Sequence, residues 1–457
     1  MDLATLNPNT PRYLTVKRGT KARWTVVFNA SFKALIRRMN SSTISEINES
    51  RLLKRALRLT GKVKAYQWGK IGGASRIATM LRGALPEGRL AEYWLGGHPK
   101  GCSDVELPDG ASISLTSLAA RYPELLGDRG MGAGLPFILK VLSIDPAVGL
   151  SIQAHPDSDW AQRLHFSDPL NYPDASHKPE IGIPLTPVTL LYGFRSVLEL
   201  RESLAMFPEL GVIISPTLLH EIESKISTSS QEDIRRELYA TLLNTPRVAV
   251  EEVVRIIIAR FAAKDHRPEE IEVIDRLRRC YGDGDVGLLA VFVMNLVTIL
   301  PGQAIFIGPN IPHAYLEGDL IECMACSDNV VRAGLTPKFK DVETLLEMLD
   351  YSVGMPALIE PQELDDGFFL IPADVREFQI SLLPCGSGIT TIESAKHVAI
   401  LLCLGAHATI RMIDGKEEID LIDGGAVLLP PRSGRYEIKR TNAAIYRVVA
   451  EKHGSHL

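Results

Sequence analysis

The sequence lacks the features that mark membrane, secreted or nucleic-acid-binding proteins. The longest apolar run, 286–300, has fifteen residues and stops at Pro301, whereas a bilayer span needs about 18 or more. A net charge of −5 over 457 residues provides no strongly charged surface for nucleic acid or a membrane. We therefore expect a small-molecule partner, with neither nucleic acid nor membrane involved, and a monomeric chain.

Cysteine is also sparse. The six cysteines are spread over the whole length, which is typical of reduced thiols and predicts a cytoplasmic location. Cys323 and Cys326 form a Cys-x-x-Cys pair, but no second pair or nearby histidine accompanies them. This favours half-buried packing residues over a zinc or redox site.

The first 55 residues differ from the rest of the chain. Residues 1–40 contain eight lysines and arginines against the single acid Asp2, and their hydrophobic pattern is poor. We interpret 1–55 as a basic, poorly ordered N-terminal extension, with Met39 as an alternative start. An organelle-targeting segment is the competing interpretation.

From residue 56 onwards, short apolar runs separated by glycine and proline are typical of an all-β structure. Strands are predicted at 63–68, 92–95 and 136–143. After Arg195 the apolar spacing changes to three and four residues, which predicts amphipathic helices over 197–300. Because strand character resumes at 303–308, we expect one discontinuous β domain, 56–196 with 301–352, interrupted by a helical insertion domain, 197–300.

The last hundred residues, 353–457, have the same all-β character. Short strands are predicted at 398–403, 408–412 and 426–430, and Asp414-Gly415 and Asp423-Gly-Gly425 are typical of turns between strands. His397 and His407 have no acidic or histidine partner at the spacing of a metal site. We expect a second jelly-roll domain without metal.

One stretch suggests a metal site. Gln153 and His155 stand two residues apart, so on a strand both side chains leave the same face. Glu180 and His313 would complete a set of two nitrogen and two oxygen ligands, provided that the chain brings these distant residues together.

Other residues leave two interpretations open. Tyr66-Gln-Trp-Gly69 and Ala91-Glu-Tyr-Trp-Leu-Gly-Gly-His-Pro99 place glycines beside tryptophans, which suits either the wall of a sugar-binding cavity or core aromatics in tight turns. Lys140 interrupts an apolar run, so its ammonium lies either at an edge or inside, facing an anion.

From about residue 56 to the C-terminus the chain resembles the type I mannose-6-phosphate isomerases, or phosphomannose isomerases, of the cupin superfamily. The resemblance rests on many motifs in the same order: Tyr66-Gln-Trp-Gly69, Ala91-Glu-x-Trp94 to Gly97-His-Pro99, Leu135-Pro-Phe137 to Lys140-Val-Leu-Ser143, Ser151-Ile-Gln-Ala-His-Pro156, His177-Lys-Pro-Glu180, Gly193-Phe-Arg195, Pro312-His-Ala-Tyr315 and Ser327-Asp-Asn-Val-Val-Arg-Ala-Gly-Leu-Thr-Pro-Lys338. The last run is specific to the family. The implied fold class is mainly β with an α insertion: two cupin-type jelly-roll β-barrels plus a helical domain.

The resemblance also implies an activity and a site. The activity is the zinc-dependent interconversion of mannose 6-phosphate and fructose 6-phosphate through a cis-enediol, which feeds GDP-mannose synthesis. One Zn²⁺ per chain would be bound by Gln153, His155, Glu180 and His313. The implied catalytic residues are Arg332, Lys178 and Glu322, and the implied substrate-binding residues are Trp68, Glu92, His98, Lys140, Ser151, Tyr315, Asp328 and Lys338.

The general base is not decided by sequence, because Glu322, Lys178 and His98 are all candidates. Lys338 and Lys140, with Ser151, form a plausible phosphate-binding set. The chain departs from the family at Gln67, where an acidic or small residue is common, and at 181–184, where Ile-Gly-Ile-Pro replaces the more usual Met-Ala-Ile-Ala.

Two other functions compete with this one. One is another metal-dependent cupin enzyme, a dioxygenase or a different sugar isomerase. An iron oxygenase would use two histidines and one carboxylate, which His155, Glu180 and His313 supply, but Gln153 as a fourth ligand argues against it. A sugar- or hormone-binding cupin without activity is the other alternative. The intact ligand set and Arg332 argue against it.

Overall fold

The computed structural model describes residues 52–81, 87–129, 134–224, 229–352, 354–415 and 417–450. Nearly all of the predicted N-terminal extension therefore lies outside the described residues. Within them, the protein is mainly β-sheet with helices. No described helix is both long and apolar enough to cross a membrane.

The strands, in chain order, are β1 Leu57–Thr60, β2 Lys62–Lys64, β3 Lys70–Ile71, β4 Arg89–Leu90, β5 Glu92–Gly96, β6 Asp104–Glu106, β7 Ser112–Ser114, β8 Phe137–Ile144, β9 Ile152–Ala154, β10 Glu180–Pro184, β11 Val188–Phe194, β12 Met294–Ile299, β13 Ala304–Ile307, β14 His313–Ala325, β15 Val331–Gly334, β16 Leu358–Ile359, β17 Gln362–Glu363, β18 Phe369–Ile371, β19 Phe378–Glu393, β20 Ala399–Met412, β21 Glu418–Ile422, β22 Ala426–Leu429 and β23 Arg435–Ala450.

The α-helices are α1 Arg76–Met80, α2 Leu115–Arg121, α3 Ser158–Ser167, α4 Val197–Met206, α5 Pro216–Glu223, α6 Gln231–Leu243, α7 Arg247–Phe261, α8 Glu269–Tyr281, α9 Gly287–Ala290 and α10 Val342–Met348. Short 3₁₀ helices occur at Gly72–Ala74, Pro123–Arg129 and Pro208–Val212.

An eleven-stranded sheet holds the candidate site, and its central element is β14. This long strand pairs antiparallel with β8, β9, β10 and β11. The pairing explains how residues far apart in sequence meet, because β9, β10 and β14 carry Gln153, Glu180 and His313. The ladder sets Gln153 directly opposite His313 and Gly182 opposite Glu322.

A ten-stranded sheet contains the C-terminal strands, from β17 to β23. Its edge is completed by β1, β6 and β7, which come from the early part of the chain. Leu57 pairs with Leu428, and Leu59 pairs with Val105. The sheets therefore cross the domain boundary that we expected near residue 353, because strand pairing depends on spatial neighbours.

The helices α4 to α9 occupy most of the predicted helical block, and serine residues cap the first turns of α4 and α6. Ser196 caps α4 in a capping box with Glu199, and Ser230 caps α6 by accepting from the amide of Asp233. Each such cap contributes about 1 kcal/mol. The apolar faces of these helices pack into one core that also contains Phe194 and Leu335.

Three predicted boundaries differ from the structure. The block predicted as helical to residue 300 ends at α9, and β12 follows as a strand paired with β11. The strand predicted at 63–68 ends at Lys64 and continues as a turn that closes with the amide of Gly69 donating to the carbonyl of Tyr66. The runs 398–403 and 408–412 form one strand, β20, whose two halves pair with β22 and β21.

Candidate metal centre and substrate cavity

Three buried side chains converge in a way that suits a metal ion. Ligand atoms of His155, Glu180 and His313 all lie within 4.8 Å of one another. The Nε2 atom of His155 is 3.2 Å from Oε1 of Glu180, and Nε2 of His313 is 3.6 Å from Oε2. The two ring nitrogens and Oε2 of Glu180 are buried without a hydrogen-bond partner. Such orphaned polar atoms are costly unless a cation binds them, so these residues fit a zinc ion.

Backbone carbonyl groups orient both imidazole rings. Nδ1 of His155 lies 2.8 Å from the carbonyl oxygen of Asn329, and Nδ1 of His313 lies 2.9 Å from that of Ile311. A carbonyl can only accept, so each Nδ1 carries the proton and each Nε2 presents its lone pair to the site. Burial lowers the pKa of both imidazoles, that of His155 to about 4. They are therefore neutral, as metal ligands must be.

The carboxylate of Glu180 is held in its charged form. Burial alone would raise the pKa of Glu180, but opposing influences, of which the ammonium of Lys178 is the largest, hold that pKa well below its ordinary value. The ammonium of Lys178 is 3.1 Å from Oε1. Gln153 is the fourth predicted ligand, and its side chain lies on the cavity wall beside Glu180.

A cavity of about 490 Å³ opens over this centre. Its lining includes all three predicted catalytic residues and all of the predicted substrate-binding residues except Tyr315. Of the ligand set it exposes Gln153 and Glu180, while both histidines are fully buried behind them. Trp68 and Trp94 line the same cavity. Of the two interpretations of the glycine-tryptophan motifs, the cavity wall is therefore the one that the structure favours.

Lys140 is buried and meets an anion, as one of its two interpretations required. Its ammonium is 2.7 Å from Oε2 of Glu322 and 5.1 Å from the ring centre of Trp94. Burial opposes the charge, but Glu322, Glu92 and Glu180 outweigh it and raise the pKa of Lys140. The ammonium of Lys140 therefore pairs with Glu322 of the protein, whereas we expected it to bind the phosphate of the substrate.

Glu322 is buried in a mostly apolar strand. Burial raises the pKa of Glu322 to about 7, against the opposing influence of Lys140. The raised pKa of Lys140 reflects an ionised Glu322 beside it, whereas the raised pKa of Glu322 favours the neutral carboxylic acid. The two shifts therefore disagree about the charge of Glu322. Because Glu92 and Glu180 also favour the charged ammonium, we take Lys140 as charged and Glu322 as the group that titrates near neutral pH.

Two cationic side chains, those of Arg332 and Lys338, line the cavity. Arg332 lies opposite Gln153 in the β9–β15 ladder, and Lys338 lies 5.7 Å from the ring centre of Tyr66. Burial lowers the pKa of both side chains, and the neighbouring charge of Arg332 lowers the pKa of Lys338 further. Two like charges at one cavity end suit an anionic ligand.

His98 and Asp328 face each other at the cavity. The Nε2 atom of His98 is 3.5 Å from Oδ2 of Asp328, and Lys100 pairs with the same oxygen at 3.0 Å. Burial lowers the pKa of His98 although Asp328 opposes it. Nδ1 of His98 accepts from the amide of Lys100 at 3.1 Å, so a neutral His98 carries its proton on Nε2.

Tyr315 does not line the cavity. Its side chain is fully buried, and its hydroxyl has no hydrogen-bond partner. A Cβ atom at Gly182 would lie 2.5 Å from that hydroxyl. The departure from the usual family residue at 182 therefore makes room for Tyr315, which packs behind the metal ligands.

Two asparagines that sequence reasoning missed support the metal ligands. The side-chain nitrogen Nδ2 of Asn329 donates to the backbone carbonyls of Asp174 and Ser176, at 2.6 and 3.0 Å. The backbone carbonyl of Asn329 accepts from Nδ1 of His155. Asn310, with a positive φ of 61°, donates its backbone amide to the carbonyl of His155 at 2.7 Å. Asn329 lies within the family-specific run, which was its only signal in the sequence.

The family comparison agrees with this geometry. Residues 56–197 match the family described as phosphomannose isomerase type I, catalytic domain. A mannose-6-phosphate isomerase of Mus musculus is 35% identical over 402 residues, covering 82% of this chain and 93% of the mouse protein. The human mannose-6-phosphate isomerase is 39% identical over 316 residues, covering 65% and 74%.

A solved structure has the same fold. The mannose 6-phosphate isomerase of Salmonella typhimurium, described as bound to the substrate fructose 6-phosphate and to zinc, superposes with a TM-score of 0.74 at 26% identity. The match covers 87% of this chain and 99% of the bacterial one. Sequence identity over most of the chain, the shared fold and a buried metal-binding group beneath a cavity lead to one conclusion: the chain belongs to the type I mannose-6-phosphate isomerases.

Proposed function

We propose that this protein is a zinc-dependent aldose–ketose isomerase that interconverts mannose 6-phosphate and fructose 6-phosphate. One observation carries the proposal. The unpartnered ligand atoms of His155, Glu180 and His313 lie at a cavity that also presents a buried carboxylate, Glu322, and a cation, Arg332. Membership of the family supports the same substrate pair.

The proposed zinc ligands are His155, Glu180 and His313, with Gln153 as the fourth. When bound, zinc supplies Lewis acidity that polarises the oxygens on C1 and C2 of the sugar. Gln153 is neutral, so the ligand set carries a single negative charge, from Glu180. With one carboxylate ligand, more of the positive charge of zinc acts on the substrate than with two carboxylate ligands.

Glu322 is the proposed general base. The isomerisation removes the proton from C2 of the open-chain aldose, the electrons of that bond form the C1–C2 double bond, and the former carbonyl oxygen O1 takes up a proton to give a cis-enediol. Loss of the O2 hydroxyl proton re-forms a carbonyl at C2 as a proton is returned to C1, which yields the ketose. A base for this step works best with a pKa near the working pH, and burial brings the pKa of Glu322 to about 7. Lys140 holds the carboxylate at 2.7 Å.

The remaining charged groups act on the oxygens of the substrate. Arg332 stabilises the negative charge that develops on the enediolate oxygen, as a permanently charged donor suits this task. Lys178, 3.1 Å from Glu180, donates to a sugar hydroxyl. Lys338 and Ser151 bind the phosphate. His98, with its proton on Nε2, assists ring opening.

The other substrate contacts and the wider context stay predictions. Trp68 covers the apolar face of the sugar, while Glu92 and Asp328 accept from its hydroxyl groups. Tyr315, predicted as a substrate contact, lies behind the ligands and would act only through them. The supply of GDP-mannose synthesis, a cytoplasmic location, a monomeric state and the division into zinc cupin, helical and metal-free cupin domains rest on the sequence.

A coupled assay tests the proposal directly. Purified protein loaded with zinc should convert mannose 6-phosphate to fructose 6-phosphate, with and without oxygen. A chelator should abolish this activity and added zinc should restore it, since the proposed mechanism needs the Lewis acidity of zinc. Mannose without phosphate is the matched control substrate. Absence of turnover in a sample with one zinc per chain would refute the proposal, and activity that requires oxygen would favour a dioxygenase.

A further inference from the structure

Among the described residues of the helical block, one reaches the substrate cavity. Tyr281, the last residue of α8, lines the cavity together with Leu335, Thr336 and Lys338. The chain then turns through Gly282, which has a φ of 79°, and enters α9. This turn, residues 282–287, is therefore next to the segment 332–338 that carries Arg332 and Lys338.

A single carboxylate joins the turn to that segment. Oδ1 of Asp285 accepts from the backbone amide of Gly287 at 2.8 Å and from the backbone amide of Leu335 at 2.9 Å. The first bond shapes the start of α9. The second bond connects the helical block to the cavity wall.

Leu335 needs such a partner. The β9–β15 ladder shifts register between Arg332 and Gly334, and the chain leaves the strand immediately afterwards. Leu335 is 1% exposed and has a φ of 54°, a conformation that costs energy for a residue with a branched side chain. A buried amide must be paired, and Asp285 both pairs it and holds the strained backbone in place.

The backbones around the hydrogen bond between Asp285 and Leu335 are closely packed. A Cβ atom on Gly334 would lie 2.7 Å from Cα of Gly287, and one on Gly287 would lie 2.8 Å from the amide nitrogen of Leu335. The two backbones are in direct contact at two glycines. A small movement of the turn would therefore be passed to the segment that follows Gly334.

We propose that Asp285 is a positioning residue for the anion-binding end of the cavity. By fixing the backbone at Leu335, it sets the path of residues 335–338, which bring Lys338 to the cavity, and the helical block thus contributes to recognition of the substrate phosphate. This inference rests on the proposed function, because it assigns that end of the cavity to the phosphate group.

Three variants of the full-length, zinc-loaded protein test the inference. Asp285→Ala removes the acceptor and should raise KM for mannose 6-phosphate about 10-fold while kcat changes less than about threefold, since the loss is in binding shared by ground and transition states. Asp285→Asn keeps an acceptor oxygen and should stay near wild type. Asp283→Ala is the matched control, because Asp283 pairs with Arg278 at 3.2 Å in the same turn.

Inorganic phosphate is the second probe. Its competitive inhibition constant, and its binding followed by tryptophan fluorescence without substrate, should weaken in Asp285→Ala by the same factor as KM. Zinc content should stay at one per chain. A merely structural role would lower Tm and the active fraction but leave the phosphate constant of the folded protein unchanged, and that result would overturn the inference.

The remaining outcomes are also decisive. If Asp285→Asn behaves like Asp285→Ala, the accepted hydrogen bond is not the cause and the inference fails. If Asp285→Ala does not fold, Asp285→Ser, which retains a shorter acceptor, should give an intermediate KM, and an unchanged value counts against the inference. A wild-type protein without isomerase activity would refute the proposed function. An active wild type, together with an Asp285→Ala variant whose KM and phosphate inhibition constant are unchanged, would refute this inference alone.

Discussion

Replacing Lys140 by methionine should shift the pH dependence of the isomerisation to higher pH. The ammonium of Lys140 lies 2.7 Å from Glu322, and both side chains are buried. Lys140 is the strongest influence that lowers the pKa of Glu322 against burial. Methionine has a similar length and fills the space without a charge, so the carboxylate loses its counter-charge while the packing is largely kept.

The size of the shift follows from the cost of an unpaired buried charge. Breaking a buried ion pair costs about 3–5 kcal/mol, which corresponds to about 2–4 pKa units at about 1.4 kcal/mol per unit. The base must be ionised, so the rate rises with pH through the pKa of Glu322, about 7 in the wild type. Losing a cation disfavours the ionised form, which raises that pKa to roughly 9 or above. At pH 7 the rate should then fall about 50-fold or more.

The assay is kcat/KM for mannose 6-phosphate measured from pH 5 to 10, with zinc content checked at each pH. Lys64→Met is the matched control, because Lys64 also lies over the Trp94 ring, at 4.8 Å, but does not pair with Glu322. Its profile should match that of the wild type. If the acidic limb of Lys140→Met stays in place, either Glu322 is not the base or Lys140 does not tune it.

Three further variants test the metal centre and the developing charge. His313→Ala removes a ligand and should abolish both activity and stoichiometric zinc binding, measured by metal analysis. Arg332→Ala should keep zinc but lower kcat about 100- to 1,000-fold, as expected for a donor that acts on transition-state charge. Asn329→Ala loosens the loop whose carbonyl orients His155 and should weaken zinc affinity about 10- to 100-fold, measured by competition with a chelator.

Each of these has an opposite outcome that is informative. Stoichiometric zinc in His313→Ala would show that the ligand set is wrong. Near-normal turnover would remove Arg332 from the mechanism. For Asn329→Ala, the matched control is Asn244→Ala, since Asn244 is an exposed residue at the end of α6; equal zinc affinities in the two variants would mean that Asn329 does not support the site.

Much of the architecture could be predicted from local patterns. The three- and four-residue apolar spacing located α4 and α7. Short apolar runs bounded by glycine and proline located β8 and β13. These features depend on neighbouring residues, so a single sequence contains them.

Boundaries set by distant partners could not be read this way. The apolar run 286–300 has no period that separates a buried helix from a buried strand, and the structure divides it into α9 and β12 because β11 offers a pairing edge. The split of β20 between β21 and β22 has the same cause. In both cases the decisive contact is with a segment that the local pattern does not reveal.

The candidate site divides in a similar way. Residue chemistry and spacing identified Gln153 and His155 as half of a metal site and suggested Glu180 and His313 as its completion. The charge state of Lys140 and the partner of Glu322 were undecided, because a buried lysine is interpretable only once its counter-ion is known. Asp285 gave no signal at all, since its role depends on a backbone amide fifty residues away.

The sequence alone determined which side chains are chemically able to bind a metal and move a proton, along with the mainly β character and the helical block, since composition and short-range periodicity specify these directly. Only the tertiary structure decided that β14 brings β9, β10 and β15 together around one centre, that β1, β6 and β7 complete the C-terminal sheet, and that a turn of the helical block fixes the cavity wall. These depend on contacts between distant segments, which form only when the whole chain packs.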